Sequence, residues 1–372
     1  MSAAAINEWG ELTAYSKGKI SASQFFSILF ISRLVVSLMY VSAIQYSVST
    51  SDIIVQAPIM LVCLLIIVIP TCIFIRNDNS RGLFNRAYNL SEAYMRVLAV
   101  IFILSFIFAA VRGISRFDLF ATSVMFPERD ITLLVVVVIV ACAYVASLGI
   151  EAIGRSAVLF TVIVVSALVF IFITIWDNLH PLNLTPLFYD GAHRALKGGI
   201  TSASVTVELG AVTILLPKIK GNVNKALFKW LFLLCATLTA VASIMVLALG
   251  FYGETQLFPI FTIAVMGEFS VFQRLDAIQT GVWILCIIMK LSFLLYMCGE
   301  CFTRLFSRGS KKLWIYISAA ITAAFAVFIS PRMNRFGIFA QSWYTVIPYV
   351  LFMITIPASV LIGEKIQKTK RV

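Results

Sequence analysis

Three charged residues interrupt long apolar stretches of the sequence: Arg33, Glu208 and Lys290. A charge at the centre of a lipid bilayer costs about 3 kcal/mol or more, unless it faces a water-filled cavity or a partner. One acid and two bases can compensate one another, with Glu208 paired to Lys290 or to Arg33. The three residues therefore predict a compensated network beside a water-accessible pocket for a small polar ligand.

Each charge also has an interpretation that needs no ligand. Lys290 could extend towards the membrane surface, although its stem barely reaches from a central position. Glu208 could be protonated and hydrogen-bonded to a backbone carbonyl, because burial favours the neutral form of a carboxyl group. The sequence leaves these alternatives open.

A run of small and hydroxyl residues, GGITSASVT at 198–206, lies just before Glu208. Small residues permit close packing between helices. They also permit a break in the helix, which would expose backbone groups and a helix-dipole end to a polar ligand. Because Glu208 lies so close to the run, we favour the break.

The composition requires a lipid environment for these residues. Apolar residues make up 61% of the 372 residues, charged residues make up 12%, and the mean hydropathy is +0.99. A soluble domain of this length has too little interior for that much apolar surface. Continuous runs of about 20 apolar residues indicate helices rather than the alternating strands of a barrel.

Hydropathy predicts ten membrane-spanning helices, at 20–44, 54–75, 93–111, 131–149, 156–176, 198–216, 227–250, 276–300, 312–330 and 342–362. The net charge of +12 would suggest a nucleic-acid partner in a soluble protein. Here most basic residues lie in short loops, 18 of the 29 on one side and eight on the other, which is a topology signal. We therefore predict no nucleic-acid partner and two cytoplasmic termini, with a segment at 1–19, a membrane domain at 20–362 and a basic tail at 363–372.

The spans divide into two groups of five at the connector 177–197. An odd number of crossings in the first half starts the second half from the opposite face of the membrane. If the two halves, 20–176 and 198–362, share one fold, they must therefore form an inverted repeat. Short amphipathic stretches at 83–90 and 259–269 lie in corresponding connectors. In such a fold the first, third, sixth and eighth spans surround the central site. The candidate ligand-binding residues there are Ser32, Arg33, Leu34, Phe102, Ser202, Ser204, Glu208, Ile287 and Lys290.

Several short motifs follow one another along the chain in a characteristic order. They are ISASQF at 20–25, AVRGISRF at 110–117, GIEAIGR at 149–155, ELG at 208–210, LPK at 216–218, QRLDAI at 273–278, and Trp283. With these motifs the sequence resembles the B subunit of spore germinant receptors, a spore permease family within the amino acid–polyamine–organocation superfamily.

This resemblance implies a LeuT-like, all-α membrane fold of ten helices in a 5+5 inverted repeat. It also implies a role in sensing small nutrients, typically amino acids, in the endospore inner membrane, with a receptor A subunit and a lipoprotein C subunit as partners. Related transporters carry glycines at a break in the first helix, where this chain has SRLVVS at 32–37. The sequence therefore leaves open whether the first helix unwinds as it does in those transporters. Arg33 could contact a ligand carboxylate in place of the backbone amides that an unwound helix exposes.

Two functions remain open at this point: a ligand-sensing receptor subunit, and a stand-alone amino-acid transporter coupled to protons through Glu208. An enzyme is not indicated, because His180 and His193 are the only histidines and no catalytic motif is found. The pair Cys298 and Cys301 has C-x-x-C spacing, but nothing redox-like surrounds it. We expect no cofactor and no metal.

Overall fold

A computed structural model describes residues 18–39, 50–78, 80–126, 132–185, 188, 191–204, 206, 208–267, 275–306, 309–329 and 343–370. In chain order its elements are β1 (Ile20–Ser21), α1 (Ala22–Met39), a 3₁₀ turn (Thr50–Asp52), α2 (Ile53–Asn77), α3 (Leu83–Leu90), α4 (Glu92–Phe120), a π-helical turn (Ala121–Met125), α5 (Thr132–Ser147), α6 (Ile150–Thr174), two 3₁₀ turns (Trp176–Asn178, Pro181–Leu184), α7 (Ala192–Ser204), α8 (Glu208–Leu215), a 3₁₀ turn (Leu216–Lys218), β2 (Ile219–Lys220), α9 (Val223–Leu249), a 3₁₀ turn (Gly250–Glu254), α10 (Pro259–Met266), α11 (Asp276–Leu305), α12 (Lys311–Ile329) and α13 (Trp343–Lys370).

The helices follow the predicted spans. Among the described residues, seven helical segments are long and apolar enough to cross a membrane: α2, α4, α6, α7 with α8, α9, α11 and α12. Helices α1 and α5 are shorter but also apolar. The predicted stretch 40–44 lies outside the described residues. The count of ten crossings and the inverted repeat stay predictions.

Side chains on the outside of the helices are strongly apolar, as lipid contact requires. Leu104 is 64% exposed, Leu133 76% and Val162 61%. Helix α2 also contains Pro58 and Pro70, which a membrane helix tolerates when neighbouring groups satisfy the freed backbone. An apolar exterior of this kind is the opposite of the polar surface of a soluble protein.

Helix α11 forms the centre of the assembly and packs against α1, α4, α5, α6 and α12. Nearly all of its residues from Val282 to Cys301 are buried. Every residue of α8 is buried as well. These two helices carry Lys290 and Glu208, so both charges lie in the interior rather than at the lipid surface.

The sixth predicted span is divided between two helices, because α7 ends at Ser204 and α8 begins at Glu208. Between them, Thr206 donates its N–H to the Ala203 carbonyl over 3.3 Å, and Leu209 donates to the Thr206 carbonyl, also over 3.3 Å. The predicted break is therefore confirmed. In contrast, α1 runs without interruption through 32–37, where the sequence has no glycine.

Two short strands tie the halves together in a way that the sequence did not predict. β1 pairs in parallel with β2, with Ile20 opposite Ile219. Just before β1, Gly18 donates its N–H to Glu151 over 2.6 Å. Glu151 also pairs at 3.5 Å with Arg155, which lies four residues later on α6. The starts of α1, α6 and α9 thus meet in one region.

Close packing of α7 on α2 generates a first prediction. A Cβ at Gly199 would lie 2.4 Å from Cγ2 of Ile59 and 3.2 Å from the Gln56 carbonyl oxygen. We expect Gly199→Ala to destabilise the fold by about 1–3 kcal/mol, because α7 must move away from α2. The midpoint of thermal unfolding in detergent measures this loss.

Gly281→Ala is the matched control. A Cβ at Gly281, inside α11, would meet nothing within 4 Å. This change should leave the midpoint unchanged or raise it, since alanine favours the helix by about 0.5–1 kcal/mol. Equal midpoints for the two variants would show that the α2–α7 contact is not tight.

Candidate functional site

Glu208 and Lys290 form a buried ion pair at the helix break. Lys290 Nζ lies 2.5 Å from Glu208 Oε1, and the two side chains are 7% and 0% exposed. The lysine ammonium therefore points inward, and the interpretation that it extends towards the membrane surface is wrong. Each charge offsets much of the other's desolvation cost, which would be several kcal/mol for either alone.

A third helix closes this site. Lys290 Nζ also donates a hydrogen bond to the Ser32 carbonyl oxygen on α1, over 2.8 Å. Glu208 is the first residue of α8, where the positive end of the helix dipole favours a carboxylate. The lysine thus links α1, α8 and α11 at one point.

Arg33 holds the other side of the break. Its guanidinium NH2 donates to the carbonyl oxygen of Ser202 over 3.0 Å and to the Ser202 hydroxyl over 2.8 Å. Ser202 lies in the last turn of α7, whose terminal carbonyls favour a positive charge. Each helix end at the break therefore faces a side chain of opposite charge: Arg33 at the end of α7, and Glu208 at the start of α8.

Three buried polar atoms near the break have no hydrogen-bond partner among the described residues: Glu208 Oε2, Ser32 Oγ and Thr206 Oγ1. A buried polar group without a partner costs about 1–3 kcal/mol. Such groups usually mark the place of a water molecule or a ligand. The site therefore has unused hydrogen-bonding capacity beside its charges.

Among the described residues at the break, one acid, Glu208, lies beside two bases, Arg33 and Lys290. The two bases offer a pair of positively charged hydrogen-bond donors for a ligand carboxylate.

The remaining predicted residues are distributed unevenly around this pair. Leu34 and Ile287 are buried beside Arg33 and Lys290 respectively. Ser202 binds Arg33, as described above. Ser204 is the last residue of α7, and its side chain lies outside the described part of the structure.

Phe102 is placed apart from the ion pair. It lines a small apolar cavity with Leu209, Gly210 and Thr213. At 100° per residue, these three positions lie on the face of α8 that is turned away from Glu208. The cavity begins one residue after the acid, but on the other side of its helix.

A second ionic cluster joins the 3₁₀ turn after α8 to α11 and α12, and sequence reasoning missed it. Lys218 pairs with Glu300, which also pairs with Lys311 and accepts a hydrogen bond from the Tyr296 hydroxyl over 2.9 Å. Both cross-helix pairs, Glu208–Lys290 and Lys218–Glu300, are separated by 82 residues. This repeated spacing, with the acid and the base exchanged, was the available signal.

Another missed interaction fixes the short helix α3. Arg86, which is 1% exposed, donates from Nε to Glu364 over 2.7 Å, and its NH2 group pairs with the same carboxylate. Its NH1 group donates to the Phe74 carbonyl over 2.8 Å. The sequence placed Arg86 in a loop, whereas the structure buries it between α2, α3 and α13.

The cysteines of the C-x-x-C pair are not joined by a disulfide bond. Cys298 and Cys301 are buried free thiols one turn apart on α11. Among the described residues, no group of three or more His, Cys, Asp or Glu side chains is arranged to hold a metal ion.

Comparisons with known proteins agree with this architecture. A family model described as "Spore germination protein" (Spore_permease) matches residues 19–334. A solved structure of a Na⁺-coupled sialic acid symporter, in a substrate-bound outward-open state, is similar with a TM-score of 0.60 and 14% identity, over 91% of this chain and 79% of the symporter chain. At that identity the likeness shows a shared fold, of the LeuT type, and no more. No curated protein matches this sequence.

The buried pair generates a second prediction. We expect Lys290→Met and Glu208→Gln each to lower the stability, by up to about 3–5 kcal/mol, because each leaves a buried group without its partner. The double variant should lose less than the sum of the two single losses. Unfolding of the purified protein in detergent, followed for all four forms, gives the coupling energy.

Arg96→Met serves as the control for charge removal. Arg96 pairs with Glu92 at 2.5 Å, but both side chains are more than half exposed. Its loss should change stability little. Strictly additive effects of the Glu208 and Lys290 changes would contradict the ion pair.

Proposed function

Since this chain belongs to the spore permease family of spore germination proteins, we propose that it is the membrane subunit of a spore germinant receptor. Its ligand is a small nutrient, an amino acid, bound between α1, α4, the α7–α8 break and α11. The observation that carries this proposal is the buried Glu208–Lys290 pair at a helix break. The proposal includes ten crossings in a 5+5 repeat, an endospore inner membrane location, cytoplasmic termini, and A and lipoprotein C partner subunits.

The chemistry of the site suits a zwitterion. An amino acid carries one ammonium and one carboxylate, the same two charges that Lys290 and Glu208 now supply to each other. On binding, the ammonium group of the ligand would pair with the Glu208 carboxylate. The carboxylate group of the ligand would pair with Lys290 and Arg33. Ser32 Oγ, Thr206 Oγ1 and Glu208 Oε2 offer further hydrogen bonds. The exchange gives Glu208 and Lys290 each a new partner of opposite charge, so its electrostatic cost is small.

The second ionic cluster supplies a route for the signal. Opening the Glu208–Lys290 pair loosens the ionic contact between α8 and α11. The Lys218–Glu300 pair lies ten residues further along the chain at both partners, where it joins the 3₁₀ turn after α8 to α11, and Lys311 pairs with the same carboxylate. A ligand that separates Glu208 from Lys290 would shift the arrangement of the Lys218–Glu300 pair as well. Partner subunits would detect this change in the arrangement of the helices.

A stand-alone transporter is the alternative, and one observation favours it. Glu208 Oε2 is buried without a partner among the described residues, so the carboxylate could carry a proton across the membrane. Uptake of a labelled amino acid into liposomes that contain this chain alone, driven by a pH gradient, would support the alternative. Absence of uptake, with a response that requires the partner subunits, would support the receptor.

A third prediction tests the ligand site directly. We expect Glu208→Gln and Lys290→Met to lower amino-acid affinity at least tenfold, because each removes one charge-assisted contact worth about 1.5–3 kcal/mol. The germination response of spores that carry each variant should shift to higher amino-acid concentrations. Arg96→Met, which removes an exposed charge, should respond like the wild type, while wild-type responses in both site variants would refute the assignment.

A fourth prediction separates binding from signalling. Lys218→Met removes the ion pair between the 3₁₀ turn after α8 and Glu300 of α11 but leaves the proposed ligand contacts in place. We expect ligand affinity to change less than threefold, while the germination response falls strongly. Loss of affinity equal to that of Lys290→Met would show that the second cluster is part of the binding site instead.

A further inference from the structure

An aromatic pocket lies at the start of α11, away from the ion pair. Side chains from four elements line it: Leu38 of α1, Phe120 of α4, Phe258 and Phe261 at α10, and Gln279 and Trp283 of α11. Phe120 lies at its centre, with ring centroids 4.7 Å from Trp283, 5.1 Å from Phe258 and 5.7 Å from Phe261. The walls are therefore mostly aromatic.

Two of the residues that line this pocket each carry a polar atom without a hydrogen-bond partner among the described residues: Gln279 Oε1, an acceptor, and Trp283 Nε1, a donor. Gln279 is 4% exposed and Trp283 is 2% exposed, so bulk solvent does not satisfy either side chain. They are four residues apart on α11 and hence on one face of it. The residues that form the pocket thus supply one unused donor and one unused acceptor among aromatic rings.

We propose that this pocket, lined by Phe120, Gln279 and Trp283, is a second ligand site, which binds a small neutral molecule bearing a primary amide. An amide has the complementary pair of groups: its carbonyl oxygen accepts from Trp283 Nε1, and its NH₂ group donates to Gln279 Oε1. Its flat, uncharged surface suits the phenylalanine rings. A charged ligand is disfavoured, because none of the lining residues is charged.

The size and place of the pocket restrict the ligand further. The cavity has room for about one water molecule as it stands. Its occupant must therefore be small, and the side chains must rotate to admit it, as interface side chains often do on binding. Trp283 is seven residues from Lys290, so both lie on one stripe of α11, about 10 Å apart along the helix. The second site thus lies on the same face as the ion pair, two turns nearer the start of the helix.

Propionamide binding to the full-length protein in lipid nanodiscs tests this proposal. Saturation-transfer NMR gives the affinity for the wild type, for Trp283→Phe, which keeps the ring but removes the donor, and for Gln279→Met, which removes the acceptor. We expect each change to weaken binding about fivefold to tenfold, the value of one hydrogen bond. N,N-dimethylpropionamide, which has no donor, should bind the wild type about as weakly as propionamide binds Gln279→Met.

Trp230→Phe is the matched control. Trp230, on α9, is fully buried and its Nε1 also has no partner among the described residues, but it does not line the pocket. This variant should bind propionamide like the wild type. No saturable binding by the wild type, equal binding by all variants, or an equal loss in Trp230→Phe would overturn the proposal.

The two sites can fail separately. Lys290→Met should retain propionamide binding, since the probe is neutral and does not need the ion pair. Intact propionamide binding, with a wild-type amino-acid response in Glu208→Gln, would refute the proposed function alone. The converse result, loss of amino-acid binding without any amide site, would refute the second site alone.

Discussion

Compensation of buried charges within the membrane helices is the constraint on which the rest of this structure depends. Glu208 and Lys290 are tolerable in the interior only because they meet, and they meet only because α7 stops at Ser204 and lets α8 begin with the acid. Arg33 satisfies the opposite end of the same break. The central place of α11 follows from this requirement, because lipid contact at Lys290 would expose an ammonium to hydrocarbon.

The central charges were predictable from the sequence, whereas the partners of peripheral charges were not. Arg33, Glu208 and Lys290 stand out because the surrounding residues are apolar, and the run at 198–206 indicated a helix break. The sequence places Lys218 in a connector and Arg86 in the amphipathic stretch 83–90, and hydropathy cannot show that either base is buried against an acid from elsewhere. Phe102 is predicted as a ligand-binding residue, but the structure places it at a cavity on the other face of α8, because the sequence does not fix which face of α4 meets which face of α8.

The family and the fold contribute different parts of the interpretation. The family model places the chain among spore germination proteins, and the symporter structure shows that the fold is one that transporters use. A fold does not dictate an activity. The specific features of this chain are its uninterrupted α1 and the arginine within it. In this arrangement the guanidinium group of Arg33, rather than unwound backbone of α1, faces the break between α7 and α8.

The sequence distance between the contacting residues sets an order for assembly during synthesis. Arg33 meets its Ser202 acceptors 169 residues later in the chain, and Lys290 reaches back 258 residues to the Ser32 carbonyl. β1 likewise has no partner strand until Ile219 has been made. The first five predicted spans are therefore synthesised before the end of α7 can accept from Arg33, although Met60 of α2 already offers Arg33 an acceptor at 3.4 Å. The contacts of the first half are consequently completed only when the second half has been made.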